Sequence, residues 1–286
     1  MPRIALTEGK TMGLRINTNI AAMNAQRTLS NTTNQLNRSL ERLSSGLRIN
    51  KARDDAAGLA IAEGFRSVVR GTAVASRNAQ DGIGLVQTAE GALATSSDIL
   101  QRMRELAVQS ANGTLSAANR TSLQGEVTQL ITQIDAIATQ TEFNGVNPLN
   151  STATITLQVG ARNGQTIAID LTTLRSGSAA TGLNVAGVDI STQAGAQTAL
   201  TTLDTAITNA NTRRATLGGI QNRLEFTIQT LDIQRENSAA SESFIRDADI
   251  ATETIAFTRN QILVSAGTSV LAQANVVPQT ALTLLG

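Results

Sequence analysis

Residues 81–110 read DGIGLVQTAEGALATSSDILQRMRELAVQS, and this stretch decides the fold. Val86, Leu93 and Leu100 recur every seven residues, and Ala89, Ser96 and Met103 follow on a second line beside them. Two adjoining lines of that period form one apolar seam along a helix, the pattern of helices packed lengthwise. The spacing predicts a long helix over 81–110. Asn112-Gly113 is a turn signal. A second helix is expected over 117–139, with Leu123, Val127, Leu130, Ile134 and Ile137 on one stripe. So short a connection makes the two helices antiparallel neighbours. Gly82-Ile83-Gly84 is not a dinucleotide loop, because position 87 is Gln where that motif needs Gly.

Toward the N-terminus the same period returns. Ala22, Leu29, Leu36 and Leu43 stand seven apart, Ala25, Thr32 and Leu40 lie on or near a second line, and Thr18 is a candidate N-cap. Ser44-Ser45-Gly46 ends this helix. From Leu47 to Arg70, Gly58, Gly64 and the cluster Lys51, Arg53, Asp54 and Asp55 predict a turn followed by a less regular helical stretch. Toward the C-terminus, Leu200, Leu203, Ile207, Ala210, Leu217, Leu224 and Leu231 line one helical face, with a kink expected at Gly218-Gly219. After an interruption over 236–243, a final helix carries Ile245, Ile255, Ile262 and Leu271, and the chain closes on Leu282, Leu284 and Leu285.

Only residues 144–187 change character. Ile155, Leu157 and Val159 alternate, as do Ile167, Ile169 and Leu171, with turn formers at 160–164 between them, which is a β-hairpin by pattern. The expected fold is therefore mainly α: an elongated antiparallel helical bundle or coiled coil built from both chain ends, with a small central β-hairpin region. The expected divisions are an N-terminal extension at 1–11, a terminal helix and turn at 12–55, a core bundle at 56–240 and a terminal helix at 241–286. The Ala-rich seams at the extreme ends are marginal as isolated helices in water. They call for partners from other copies of the chain.

Composition narrows the function. The chain has 286 residues and a formal net charge of +1; it holds five Phe and no Trp, Tyr, His or Cys. Few aromatics suit thin helix-on-helix packing better than a thick globular core. Without His and Cys, a Ser-His-Asp triad, a Cys-His pair and an HExxH zinc site are all impossible, and so are disulfides. The near-zero charge lacks the basic footprint of a nucleic-acid binder. No stretch approaches the roughly 20 apolar residues of a membrane span, and Met1–Thr11 has no apolar core of a secretory signal. The clearest acidic clusters, Asp54/Asp55 and Asp247/Asp249/Glu253, have neither a nucleophile nor a cofactor loop beside them and read as ion pairs at helix surfaces.

Several blocks match one family. Met12–Met23 (MGLRINTNIAAM), Leu43–Ile61 (LSSGLRINKARDDAAGLAI), Gln101–Asn112 (QRMRELAVQSAN), Glu142–Val146 (EFNGV), Leu157–Gly160 (LQVG) and Phe244–Val277 (FIRDADIATETIAFTRNQILVSAGTSVLAQANVV) resemble, in order, the signatures of bacterial flagellins. The resemblance covers about Met12 to Leu285. It departs from the family pattern in residues 1–11, which makes Met12 the expected initiator, and in a short middle where many relatives carry large outer domains.

The resemblance implies a secreted structural subunit, without enzymatic activity or cofactor. It is expected to be exported unfolded through the flagellar type III apparatus and to self-polymerise into the flagellar filament for motility. The implied partners are further copies of itself, an export chaperone, the filament cap and hook-associated proteins, with no nucleic acid and no membrane insertion. Both chain ends are expected in the inner tube of the filament and disordered in the free monomer. The polymerisation seams would be Leu29, Leu36, Leu43, Ile255, Ile262, Leu271, Leu282, Leu284 and Leu285. The same resemblance implies a contact with vertebrate Toll-like receptor 5 through Arg102, Leu106, Gln109 and Glu126. Two structural alternatives remain at this level: a hook-filament junction protein, which shares the terminal blocks, and a cell-surface binding module on a flagellin scaffold. The second is disfavoured by the lack of stacking aromatics.

Overall fold

In the computed structural model, which describes residues 18–177 and 182–283, the 81–110 seam lies within one helix of 56 residues, α2 (Ala56–Ala111). It is preceded by α1 (Ile20–Ser45) and followed by α3 (Ala117–Gln140), β1 (Thr154–Gln158), β2 (Thr166–Asp170), a 3-10 turn (Leu171–Leu174), α4 (Gln193–Arg246) and α5 (Ile250–Thr283). The chain divides into two units. One contains the chain up to Gly64 and from Ala240 onward; the other is Phe65–Ala239.

The Phe65–Ala239 unit is built on the expected seam. Val86, Ala89, Leu93, Ser96, Leu100 and Met103 are all fully buried. α3 returns along α2, and Val127, Ile134 and Ala138 face inward. α4 lies antiparallel to α2, as the pairs Arg214–Glu90 (2.8 Å) and Arg104–Asp204 (2.6 Å) show. Its inward residues include Ala196, Ala199, Ala206 and Ala210 beside Leu203, Leu217 and Leu224. These small residues keep the core thin. One apolar cluster joins Leu100 and Met103 to Val127, Ile134 and Leu203; a second joins Val86 and Leu93 to Leu217, Leu224 and the hairpin. The expected hairpin is present, and it pairs Ile155 opposite Ile169 and Leu157 opposite Ile167. After it, Leu183, Val185, Val188 and Ile190 plug the core from a loop.

Arg213 closes the base of that loop, donating to the carbonyl oxygens of Arg175 and Gly182. At the α2–α3 turn, Arg120 donates to the carbonyls of Ser110, Leu115 and Asn112, all at 2.8 Å. That satisfies the Ser110 carbonyl in the last turn of α2 and ties it to two carbonyls of the turn itself.

In the other unit α1 and α5 lie antiparallel. Asn19 Nδ2 donates to the Ala274 carbonyl (2.7 Å) near one end, and Arg42 pairs with Glu253 (3.5 Å) near the other. The seam on α1 runs Ala22, Ala25, Leu29, Thr32, Leu36, Ser39, Leu43, alternating steps of three and four; all seven are buried or half-buried. On α5 it runs Glu253, Ala256, Phe257, Asn260, Val264, Gly267, Leu271, Ala274. A Cβ on Gly267 would stand 3.1 Å from Leu29 Cδ1, so the helices approach closely there.

Five local expectations are corrected. The N-cap is Asn19 rather than Thr18: Asn19 Oδ1 accepts from the Ala22 N–H (3.0 Å). The second α1 line passes through Ser39, and Leu40 is 54% exposed, because the alternating steps reach 39. α2 is one helix from Ala56, regular through Gly58 and Gly64, and starts where Asp55 Oδ1 accepts the Gly58 N–H (2.8 Å). α4 runs unbroken through Gly218-Gly219, where burial of Leu217 and Leu224 outweighs a cost of roughly 1 kcal/mol per Gly. Residues 236–243 are helical, and Ile245 belongs to α4. The real interruption is Asp247-Ala248-Asp249, where Asp249 caps α5 by accepting from the Ala251 and Thr252 N–H groups.

Candidate assembly surface

The turns that end α1 and α4 meet. Gly46, at φ +72°, caps α1, and its N–H bonds the Arg42 carbonyl. Gly46 O then accepts from Ala248 N (2.9 Å), Arg48 N donates to Arg246 O (2.7 Å), and Leu47 and Asp247 form an isolated antiparallel bridge. A hydrogen-bonded clasp thus fixes where the α1–α5 pair starts. Arg246 also pairs with Glu63 (2.9 Å).

The acidic clusters are spent on this clasp. Asp54 Oδ2 accepts from Lys51 N (3.0 Å) and Asn50 N (3.3 Å), which shapes the loop; the Lys51 N–H above all holds the Asp54 carboxyl below its ordinary range. Asp247 accepts the Ser243 hydroxyl at 2.5 Å. Asp249 is held low chiefly by the Thr252 hydroxyl, with the Thr252 and Ala251 N–H groups adding to it. Glu253 faces Arg42. Among the described residues, no group of three or more His, Cys, Asp or Glu could hold a metal ion.

The expected seam residues divide into two sets. Leu29, Leu36, Leu43 and Leu271 lie in the seam between α1 and α5 of the same chain. Ile255 and Ile262 do not: they are 62% and 63% exposed on the opposite side of α5. Leu284, Leu285 and the side chain of Leu282 lie outside the described residues. Periodicity missed this division because both lines on α5 repeat every seven residues. No size rule in the sequence separates them: the inner line mixes Ala256, Gly267 and Ala274 with Phe257, Val264 and Leu271, while Ile255 and Ile262 stay outside.

The outer line is a surface in its own right. Ile255, Ile262, Leu263 and Val270 are exposed together, and between Ile250 and Thr283 only Glu253 and Arg259 carry charge. An aliphatic stripe of this kind, interrupted only by Arg259, is a candidate interaction surface. The outer side of α1 is more polar, with Ile20 and Met23 exposed in its first turn. Asn24, Asn31, Asn34, Asn37 and Arg38 are exposed there.

The receptor-type residues lie on the other unit. Arg102 donates to Glu126 Oε1 from Nε (3.0 Å) and NH2 (2.9 Å), and to Glu105 (3.1 Å). Gln109 is exposed, but Leu106 is only 2% exposed and belongs to the core. The geometry therefore brings Arg102 and Glu126 together at the surface and withdraws Leu106 from it.

A thin helix pair whose inner seam is closed by its own chain, and whose outer side still carries an aliphatic stripe, has the architecture of a structural subunit. Comparison with known proteins gives this class its family. Residues 16–154 match the family described as the bacterial flagellin N-terminal helical region, and 200–285 match the bacterial flagellin C-terminal helical region. The chain is 46% identical to a flagellar filament 33 kDa core protein of Treponema phagedenis, covering 94% of this chain and 99% of that protein. It is 49% identical to a flagellin of Halalkalibacterium halodurans, again covering 94% and 99%. A flagellar hook-associated protein structure from Vibrio parahaemolyticus shares the fold alone, at 15% identity and a TM-score of 0.53 over 68% of this chain and 99% of that one. The chain belongs to the bacterial flagellin family.

Proposed function

We propose that this chain is the structural subunit of a bacterial flagellar filament and polymerises through α1 and α5, with no catalytic step. The observation that carries this reading is the stripe Ile255, Ile262, Leu263 and Val270 on a helix whose inner face is already occupied. A heterologous contact, repeated by a rotation that does not close, builds a filament. The α1–α5 pair forms the inner tube of that filament. The subunit is exported through the flagellar apparatus, held beforehand by a chaperone, and added beneath a cap on a base of hook-associated proteins. A vertebrate receptor of the Toll-like 5 type would contact Arg102, Gln109 and Glu126, with Leu106 acting through the core beneath them.

The test of assembly is direct. Purified chain is seeded with filament fragments or treated with a precipitating salt, then imaged by negative-stain electron microscopy. Long uniform filaments support the reading; monomers under every condition refute it. Receptor contact is tested by applying purified monomer to receptor-bearing cells beside a known agonist, and failure to activate them removes that part.

A further inference from the structure

Three Asn-Gly steps occur in the described residues: Asn112-Gly113, Asn144-Gly145 and Asn163-Gly164. Such a step is chemically labile, because Gly offers no Cβ to shield its own backbone nitrogen. That nitrogen attacks the preceding Asn side-chain carbonyl carbon. A C–N bond closes a five-membered succinimide, the amide C–N bond breaks, and ammonia leaves. Water then opens the ring at either carbonyl, giving aspartate or isoaspartate. No oxidant or enzyme is needed. What differs between the three steps is how firmly the folded chain holds the reacting atoms.

At Asn144-Gly145 both are held. Asn144 (φ +51°) and Gly145 (φ +78°) form the two central positions of a tight turn closed by Phe143 and Val146, which exchange hydrogen bonds of 2.9 and 3.0 Å. The Gly145 N–H, the nucleophile, donates to Glu142 Oε1 (3.0 Å). At Asn112-Gly113 the reacting carbonyl is held instead. Asn112 Oδ1 accepts from Thr114 N (3.2 Å), and the Asn112 backbone carbonyl accepts from Arg120 (2.8 Å) and Leu115 N (3.3 Å). Asn163 differs from both. It is exposed in the hairpin loop, no hydrogen bond engages its side chain or the Gly164 N–H, and Gly164 sits at φ +81° with open space where a Cβ would be.

We infer that Asn163 is a site of spontaneous modification, converted through a Gly164 succinimide to aspartate and isoaspartate well ahead of Asn112 and Asn144. The product carries a permanent negative charge beside Arg162. Isoaspartate also adds one carbon to the main chain inside the loop that closes β1 on β2. The bonds exposed to that change are Thr166 N to Gly164 O (3.1 Å) and Gln165 N to Arg162 O (3.4 Å). The hairpin therefore loosens at its tip as the protein ages, while the helices on which it rests are unaffected.

The experiment incubates the full chain in warm, mildly alkaline buffer. Samples are digested with pepsin in acid, because trypsin would cut after Arg162 and leave Asn163 at a reactive terminus. Peptide masses are then followed with time. The expected result is a gain of about one dalton, with ammonia release, in the Asn163 peptide several-fold faster than in the Asn112 or Asn144 peptides. A parallel acidic shift by one charge should appear on isoelectric focusing and be absent from Asn163→Gln. In denaturant the three rates converge, since the protection of the other two is conformational. Equal rates in the folded chain, or Asn112 or Asn144 reacting first, would overturn the inference.

Discussion

Replacing Ile255 and Ile262 together with Ser removes the outer stripe of α5 without touching the inner seam. Each side chain is about three-fifths exposed, at 62% and 63%. Burying an Ile completely contributes about 1.5–3 kcal/mol, so covering what remains exposed is worth about 1–2 kcal/mol per residue. The pair then contributes about 2–4 kcal/mol to each subunit addition, as an upper estimate. That converts to a rise of roughly 30- to 700-fold in critical concentration. Ser and Ile have similar helix propensities, so α5 loses little on its own account. The assay is seeded assembly followed by light scattering over a range of subunit concentrations, with thermal unfolding of the same samples as a control on the fold. A double variant that assembles at the wild-type critical concentration refutes the placement of this stripe at a subunit contact. So does a loss of assembly accompanied by an equal loss of folded structure.

Leu93→Ala opens a cavity at a fully buried position between α2, α4 and the hairpin; it should cost about 2–5 kcal/mol, read as a lower unfolding midpoint in denaturant, and an unchanged midpoint counts against that core. Deleting Val277–Gly286 should abolish assembly while the Phe65–Ala239 unit stays folded by circular dichroism. Leu282, Leu284 and Leu285 would contribute about 5–9 kcal/mol at most on burial, against an ordering cost of about 1–2 kcal/mol per residue, and normal filaments from the truncated chain contradict the role given to the tail. The pH dependence follows from Asp54 and Asp249, both held below the ordinary 3.8. An acid whose folded pKa is depressed contributes stability above its unfolded value and loses it as pH falls through the folded one. Amide protection in the 46–55 loop and the first turn of α5, taken relative to the intrinsic exchange rate at each pH, should therefore be constant down to about pH 4 and fall below it. In Asp54→Asn and Asp249→Asn that acid dependence should shrink, and identical profiles for wild type and variants would contradict the assignment.

Much of the fold was legible because the two features that govern it are periodic. Val86, Leu93, Leu100 and their companions Ala89, Ser96 and Met103 announce a buried seam at a period only a helix satisfies. Ile155, Leu157, Ile167 and Ile169 announce strands at a period only a sheet satisfies. Helix ends were less legible, since they depend on single hydrogen bonds. Asn19 takes the cap because its Nδ2 also reaches the Ala274 carbonyl, a contact 255 residues away in sequence. The interruption of α4 falls at Asp247–Asp249 because Gly46, Leu47 and Arg48 meet it there. The candidate surface was half legible. Ile255 and Ile262 were identifiable as a seven-residue line, but not as the outer one of two. Only packing shows that Ala256, Gly267 and Ala274 face α1, together with Phe257, Val264 and Leu271. Ser39 and Asn260, buried in the inner seam, gave no apolar signal.

A helical reconstruction of the assembled filament by electron cryomicroscopy tests the central claim most directly. The account predicts that Ile255, Ile262 and Val270 of each subunit are covered by neighbouring subunits, with α1 and α5 near the filament axis. A filament in which those three side chains face solvent, or in which subunits join through the Phe65–Ala239 unit alone, would contradict it.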